Sequence, residues 1–211
     1  MFSIYIQGTS AMNCFDEKGK YVPYDRIEVQ EQHDANNYIT PDDKVLEIGA
    51  RYGGVSITIN KILKNKKDHV AVEPESKIWP ALEANRDRHY CEFQICKGAI
   101  SDKPLKINDG GYEGFGNYTT HSKDGDIPLF KISDFKIDFN VLVVDCEGAF
   151  ETFYDENKDF FPKLRLILYE RDRKEACDYD YLEKQFIKLG FKKINHPDSE
   201  HIAMLNQSML R

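Results

Sequence analysis

With 211 residues, 41% hydrophobic and 31% charged, the chain has the balance of a soluble globular protein, long enough to bury one full core. The net charge is −7, from 29 Lys+Arg against 36 Asp+Glu, and the densest basic cluster, Lys61 to Lys67, reads as the wet end of a helix. That balance counts against a long phosphate-tracking surface and against nucleic acid as a partner, and leaves room only for a local basic groove. No run is long enough to span a bilayer, and Met1-Phe-Ser-Ile-Tyr-Ile6 lacks the regions of a signal peptide. Cys14, Cys91, Cys96, Cys146 and Cys177 are odd in number and show no C-x-x-C spacing, so reduced thiols in a cytoplasmic protein are expected.

Residues 1–43 read as an N-terminal cap. They comprise a strand at Phe2–Gln7, a turn at Asp16-Glu-Lys-Gly19 and a short polar helix over Glu28–Tyr38, and Pro41-Asp42-Asp43 is the turn into the core. From Lys44 to the end, strand and helix patterns alternate, which predicts a single domain with a parallel sheet and helices on both faces. The predicted strands are Lys44–Ile48, His69–Glu73, Glu92–Lys97, Val141–Val144 and Leu164–Tyr169. Helices are expected from Gly53-Gly54 to about Leu63, around Ala81-Leu82 to Arg88, over Phe150–Asp159 and over Tyr179–Leu189, with Gly190 as the last stop. The tail changes pattern: Phe191–Ile194, a turn at Asn195–Asp198 and His201–Leu205 form an antiparallel hairpin that closes the sheet. The one irregular stretch is Ser101–Asp138, a connection long enough to carry function.

The strand ends hold the chemistry, because open α/β sheets bind ligands there. Lys44-Val-Leu-Glu-Ile-Gly-Ala-Arg-Tyr-Gly-Gly-Val55 is a strand that breaks into a glycine-rich turn and a helix. Such a turn lets backbone N–H groups approach a ligand at a helix N-terminus. It lacks the G-x-G-x-x-G spacing that suits a pyrophosphate, but it carries Glu47, and Glu73 ends the next strand about 20 residues on, where a carboxylate accepts ribose hydroxyls. Acids flanking such a turn suit a ligand with a ribose and a cationic amino-acid end, and S-adenosylmethionine is one. The candidate cofactor residues are Glu47, Gly49, Ala50, Arg51, Gly53, Glu73, Pro74, Gly98, Ala99, Ile100 and Asp145, with Gly98–Ile100 laid against a flat base and Asp102 near its amine.

Asp145 and Glu147 emerge at the mouth of the most apolar strand. They are candidates for a general base, a metal site or a grip on a hydroxylated substrate, although Asp145 also suits a helix cap. Glu170 ends the next strand on the same edge, so Asp145, Glu147 and Glu170 are the candidate ligands for a divalent ion, Mg²⁺ or Mn²⁺. His121, in the Gly114–His121 loop, is a third candidate catalytic group, and the alternative for it is a solvated loop histidine.

Taken together, Glu47-Ile-Gly-Ala-Arg-Tyr-Gly53, Val72-Glu-Pro74, Gly98-Ala-Ile-Ser-Asp102, Asp145-Cys-Glu-Gly-Ala149 and Leu168-Tyr-Glu170 resemble the FkbM-type family of S-adenosylmethionine-dependent methyltransferases. The resemblance runs from about Lys44 to Asp172, and Asp-x-Glu-Gly is its most discriminating part. It implies a Rossmann-like class I methyltransferase fold with a mostly parallel seven-stranded sheet, S-adenosylmethionine as cofactor, and O-methylation of a sugar, glycan or small metabolite. Arg51 stands where that family usually carries Asn; it can reach the cofactor's methionine carboxylate or fill the turn from outside. The rival readings are a nucleic-acid or protein methyltransferase on the same fold, and a catalytically silent cofactor-binding module.

Overall fold

A computed structural model describes residues 13–24, 26, 28–111, 115–194 and 199–209. The expected Phe2–Gln7 strand and Asn195–Asp198 turn lie outside them. At the N-terminal side, β1 (Cys14–Phe15) and β2 (Tyr21–Val22) form a small antiparallel pair. The Asp16 carboxylate closes their turn by accepting the N–H groups of Lys18 and Lys20. Helix α1 spans Val29–Tyr38.

The core then alternates β3 (Val45–Ile48), α2 (Gly54–Ile62), β4 (His69–Glu73), α3 (Trp79–Arg88) and β5 (Gln94–Lys97). After a long connection come β10 (Val141–Val144), α4 (Phe150–Glu156), β11 (Leu166–Glu170), α5 (Tyr179–Lys188), β12 (Phe191–Lys193) and β13 (His201–Asn206). Seven of these strands make one sheet in the order β12-β13-β11-β10-β3-β4-β5. Neighbours from β5 to β11 are parallel, and β13 pairs antiparallel with both β11 and β12. The expected sheet and its terminal hairpin are both present.

Alternation along each strand sorts side chains onto two faces. Leu46, Leu142, Val144, Ile167 and Tyr169 bury one face against the aromatic side chains of α4 and α5, among them Phe150, Phe153 and Phe186. Val45, Val143, Leu168 and Ala203 bury the other against Ala35 of α1, Ile39 just after it, and Val55 and Ile59 of α2. The N-terminal helix is therefore part of a layer of this sheet. All five cysteines are free thiols, and only Cys146 is not buried.

The connection expected to be irregular is largely built. It contains β6 (Ala99–Ile100), β7 (Leu105–Asn108), β8 (Tyr118–His121) and β9 (Leu129–Phe130), followed by a 3-10 turn at Ile132–Phe135. β7 and β8 pair antiparallel, with Leu105 opposite His121. Strands of two to four residues give too short an alternation to read from sequence.

Candidate active site

Strand order reverses between β3 and β10, since the chain leaves β3 toward β4 on one side and returns to β10 on the other. A doubly wound sheet opens a crevice at such a switch point. Here a cleft of about 390 Å³ lies at the carboxyl ends of β3, β4 and β10, within the range of small-molecule and cofactor sites. Its walls are the turn after β3, the turn after β10, one face of α4 and the β7–β8 hairpin. Ala149 at the start of α4, and Thr152, Phe153 and Glu156 on it, line the cleft at helical spacing.

Of the residues expected to hold a cofactor, Gly49, Arg51, Glu73, Pro74, Ala99, Ile100 and Asp145 line this cleft. Glu73 is 5% exposed, and its carboxylate accepts the N–H of Arg51 at 2.8 Å and that of Glu75 at 2.7 Å. Burial pushes its pKa up to about 7, against the pull of those two N–H groups. Gly49 sits at φ +93°, and a Cβ there would stand 1.6 Å from the carbonyl oxygen of Asp145. The glycine is thus required by close packing of two turns, in addition to any approach of a ligand.

Four expected cofactor residues do not line the cleft. Glu47 points to the face shared with Val45, where Nε2 of buried His69 lies 2.9 Å from its carboxylate. It borders a smaller cavity instead. Ala50 is buried and donates its N–H to Val72, and Gly53 begins α2 at φ +88°. Gly98 packs under Pro128, whose carbonyl oxygen would lie 2.1 Å from a Cβ. These three shape the turns rather than touch the cleft. Asp102 is turned outward, 3.5 Å from Lys131, and does not border the cleft.

The arginine in the glycine turn is explained by its surroundings. Its guanidinium lies 3.1 Å from Glu75 and stacks 4.8 Å from the ring centres of both Tyr52 and Phe115. It ties the turn to the segment leading into β8 while also lining the cleft. Its backbone is left-handed at φ +46°, a conformation that asparagine adopts more easily than arginine.

Asp145 and Glu147 both border the cleft. Burial, reinforced by the carboxylates of Glu170, Glu28, Asp172 and Glu31, pushes the Asp145 carboxyl well above the ordinary carboxylate range. Glu147 occupies a left-handed position at φ +53°. Burial, then Asp172 and Glu170, lifts its pKa to about 7, with Arg173 and Arg51 opposing. A carboxyl poised near neutrality is suited to proton transfer. His121 also lines the cleft, with Nε2 3.3 Å from Glu156, on the rim formed by β8.

The expected metal set does not converge. Glu147 faces Arg173 and Tyr118 across the cleft mouth, whereas Glu170 lies on the sheet face covered by α1. Among the described residues, the only three candidate ligands whose donor atoms lie within 4.8 Å of one another are Glu31, Glu170 and His201.

Sequence reasoning missed several cleft residues. Glu28, at the left-handed start of α1, reaches the cleft from the N-terminal segment. Arg173 lies 3.5 Å above the Tyr118 ring and joins the segment after β11 to the hairpin. No local pattern marks either. Thr152 and Glu156 were missed although helical spacing marks them, since they lie one and two helical steps beyond Ala149 on one face.

No protein-family model matches the chain, and no curated protein matches it in sequence. Solved structures match it in fold. A protein of the NADB-Rossmann superfamily from Streptococcus agalactiae aligns with a TM-score of 0.51 at 10% identity, over 83% of this chain and 66% of its own. A Streptococcus pneumoniae structure described as a candidate tRNA (m1A22) methyltransferase aligns with a TM-score of 0.51 at 11% identity, over 82% of this chain and 68% of its own. The chain spans just under two thirds of the first of these proteins. Its fold is the Rossmann-like fold of class I methyltransferases.

Proposed function

We propose that the protein is an S-adenosylmethionine-dependent methyltransferase that methylates a hydroxyl of a sugar, glycan or small metabolite. The observation that carries the cofactor reading is Glu73. It ends β4 beside the Gly49 turn, faces the 390 Å³ cleft, and is held in place by two backbone N–H groups that leave its remaining lone pairs for a diol. The donor set fits a ribose with a cationic end: acids line the floor, and the turn has no phosphate-binding glycine spacing. When bound, the cofactor supplies an activated methyl group. We assign Ala99 and Ile100 to flank its base and Asp145 to meet its polar end, since all three line the cleft.

Methyl transfer asks the protein mainly for positioning, and for removal of a proton when the acceptor is a hydroxyl. Glu147 is the residue we assign to that proton, because its pKa of about 7 lets it accept one near neutral pH. Tyr118, Thr119, Thr120 and His121 line the facing wall with polar groups that suit a polyol, and the acid-rich lining disfavours a phosphate backbone. The FkbM-type resemblance of the strand-end motifs supports the same acceptor class. Calorimetry with S-adenosylmethionine tests the first half: Glu73→Ala is expected to weaken binding by about 1–3 kcal/mol. Unchanged affinity would remove the assignment. A screen of sugars and polyols with methyl-labelled cofactor tests the second half, and transfer only to RNA or protein would replace the acceptor class.

A further inference from the structure

On the face of the sheet opposite α4 and α5, register brings three donors together. Glu170 of β11 and His201 of β13 are direct cross-strand partners, so their side chains share a face. By alternation this is the face of Leu168 and Ala203, which α1 covers. Glu31 comes from α1, one turn before buried Asp34 and Ala35, and its carboxylate lies 3.6 Å from Nδ1 of His201. Donor atoms of all three lie within 4.8 Å of one another. Bonds of about 2.0–2.2 Å to a common ion would put ligands about 3–4.4 Å apart, so small side-chain adjustments close the set.

Two further observations point to an occupant. The cavity beside these residues measures about 20 Å³, room for one ion or one water and too small for an organic ligand. Glu47, 2% exposed, borders the same cavity; its Oε2 meets His69, while its Oε1 has no hydrogen-bond partner. A buried carboxylate oxygen without a partner is costly unless a cation or water answers it. Glu28, Asp34 and Asp145 border the cavity too, which favours positive charge.

We propose that Glu31, Glu170 and His201 bind one divalent cation, Zn²⁺ or Mn²⁺ in preference to Mg²⁺ or Ca²⁺, which fastens α1 to β11 and β13. The imidazole selects against the harder ions, which prefer all-oxygen sites. None of the three ligands lines the cleft assigned to methyl transfer, although Glu28 and Asp145 border both spaces, and the proposal does not rest on that reading.

The test uses the full chain, stripped with EDTA and titrated with ZnCl₂ or MnCl₂ by calorimetry and thermal melting. We expect one saturable equivalent, and a melting temperature raised by about 5–10 °C at a hundredfold excess over Kd. His201→Asn and Glu31→Gln are each expected to weaken binding by about 10–100-fold. Their metal-free melting temperatures should stay within about 2 °C of the wild type: Glu31→Gln relieves its repulsion with Glu170, and His201→Asn removes a partly exposed contact with Glu31. Glu147→Gln should bind the ion as the wild type does, and Mg²⁺ and Ca²⁺ should bind at least about tenfold more weakly. No saturable uptake by the folded wild type, or equal affinity in both ligand variants, would overturn the proposal and leave the cavity to a water.

Discussion

The carbonyl oxygen of Asp145 occupies the space in which a Cβ on residue 49 would lie, at 1.6 Å from its ideal position. The turn that leaves β3 and the turn that leaves β10 are therefore in backbone contact at the switch point of the sheet. Any side chain at residue 49 must push these two turns apart, and both line the same cleft.

Gly49→Ala is accordingly expected to cost stability as well as binding. A left-handed φ for alanine and the overlap with backbone each cost about 1–3 kcal/mol. For a chain of this size the melting temperature should fall by about 5–15 °C. Scanning calorimetry on the purified variant measures this directly. A melting temperature within a degree of the wild type would mean that the two turns do not meet as described.

Glu73 makes stability depend on pH in a defined direction. Its folded pKa of about 7 lies above the ordinary value of 4.5, so between those values the folded state holds a proton that the unfolded state has lost. Stability from this group is full below about 4.5 and declines as pH rises through about 7, by about 3 kcal/mol in total. Urea unfolding at pH 5 and pH 7.5 should show the wild type losing stability relative to Glu73→Gln. A difference between the two proteins that does not change with pH would contradict the raised pKa.

Glu147 and Asp145 should separate in kinetics. Glu147→Gln removes the group assigned to accept the proton, and turnover should fall by about 10²–10⁴ with cofactor affinity within a few-fold. In the wild type, turnover should rise with pH through about 7 as Glu147 loses its proton. Burial and the neighbouring carboxylates favour the neutral form of Asp145, which Asn resembles. Asp145→Asn is therefore expected to reduce turnover by less than about tenfold. If Asp145→Asn proves the more damaging change, the two assignments exchange.

How far the residues speak before folding is considered can be read at particular positions. The apolar runs His69–Glu73 and Val141–Val144 became strands with those same limits, because continuous hydrophobic runs bounded by turn residues suit strands buried on both faces. Gly49, Glu73, Asp145 and Glu147 were legible as residues of the cleft for a related reason: a residue at the carboxyl end of a parallel strand reaches the crevice whatever its neighbours are. What the tertiary structure alone decided is which distant groups meet. Glu47 looked like part of the glycine turn, yet strand alternation turns its carboxylate to the other face, onto His69. Glu31, Glu170 and His201 stand far apart in the chain and converge only through the β11–β13 register and the placing of α1. Likewise Tyr118 and Arg173 meet only because β7 and β8 fold back over the cleft. A sequence carries the period that tells each residue which way to face; sheet order and register, set by packing among all the elements at once, determine what it faces.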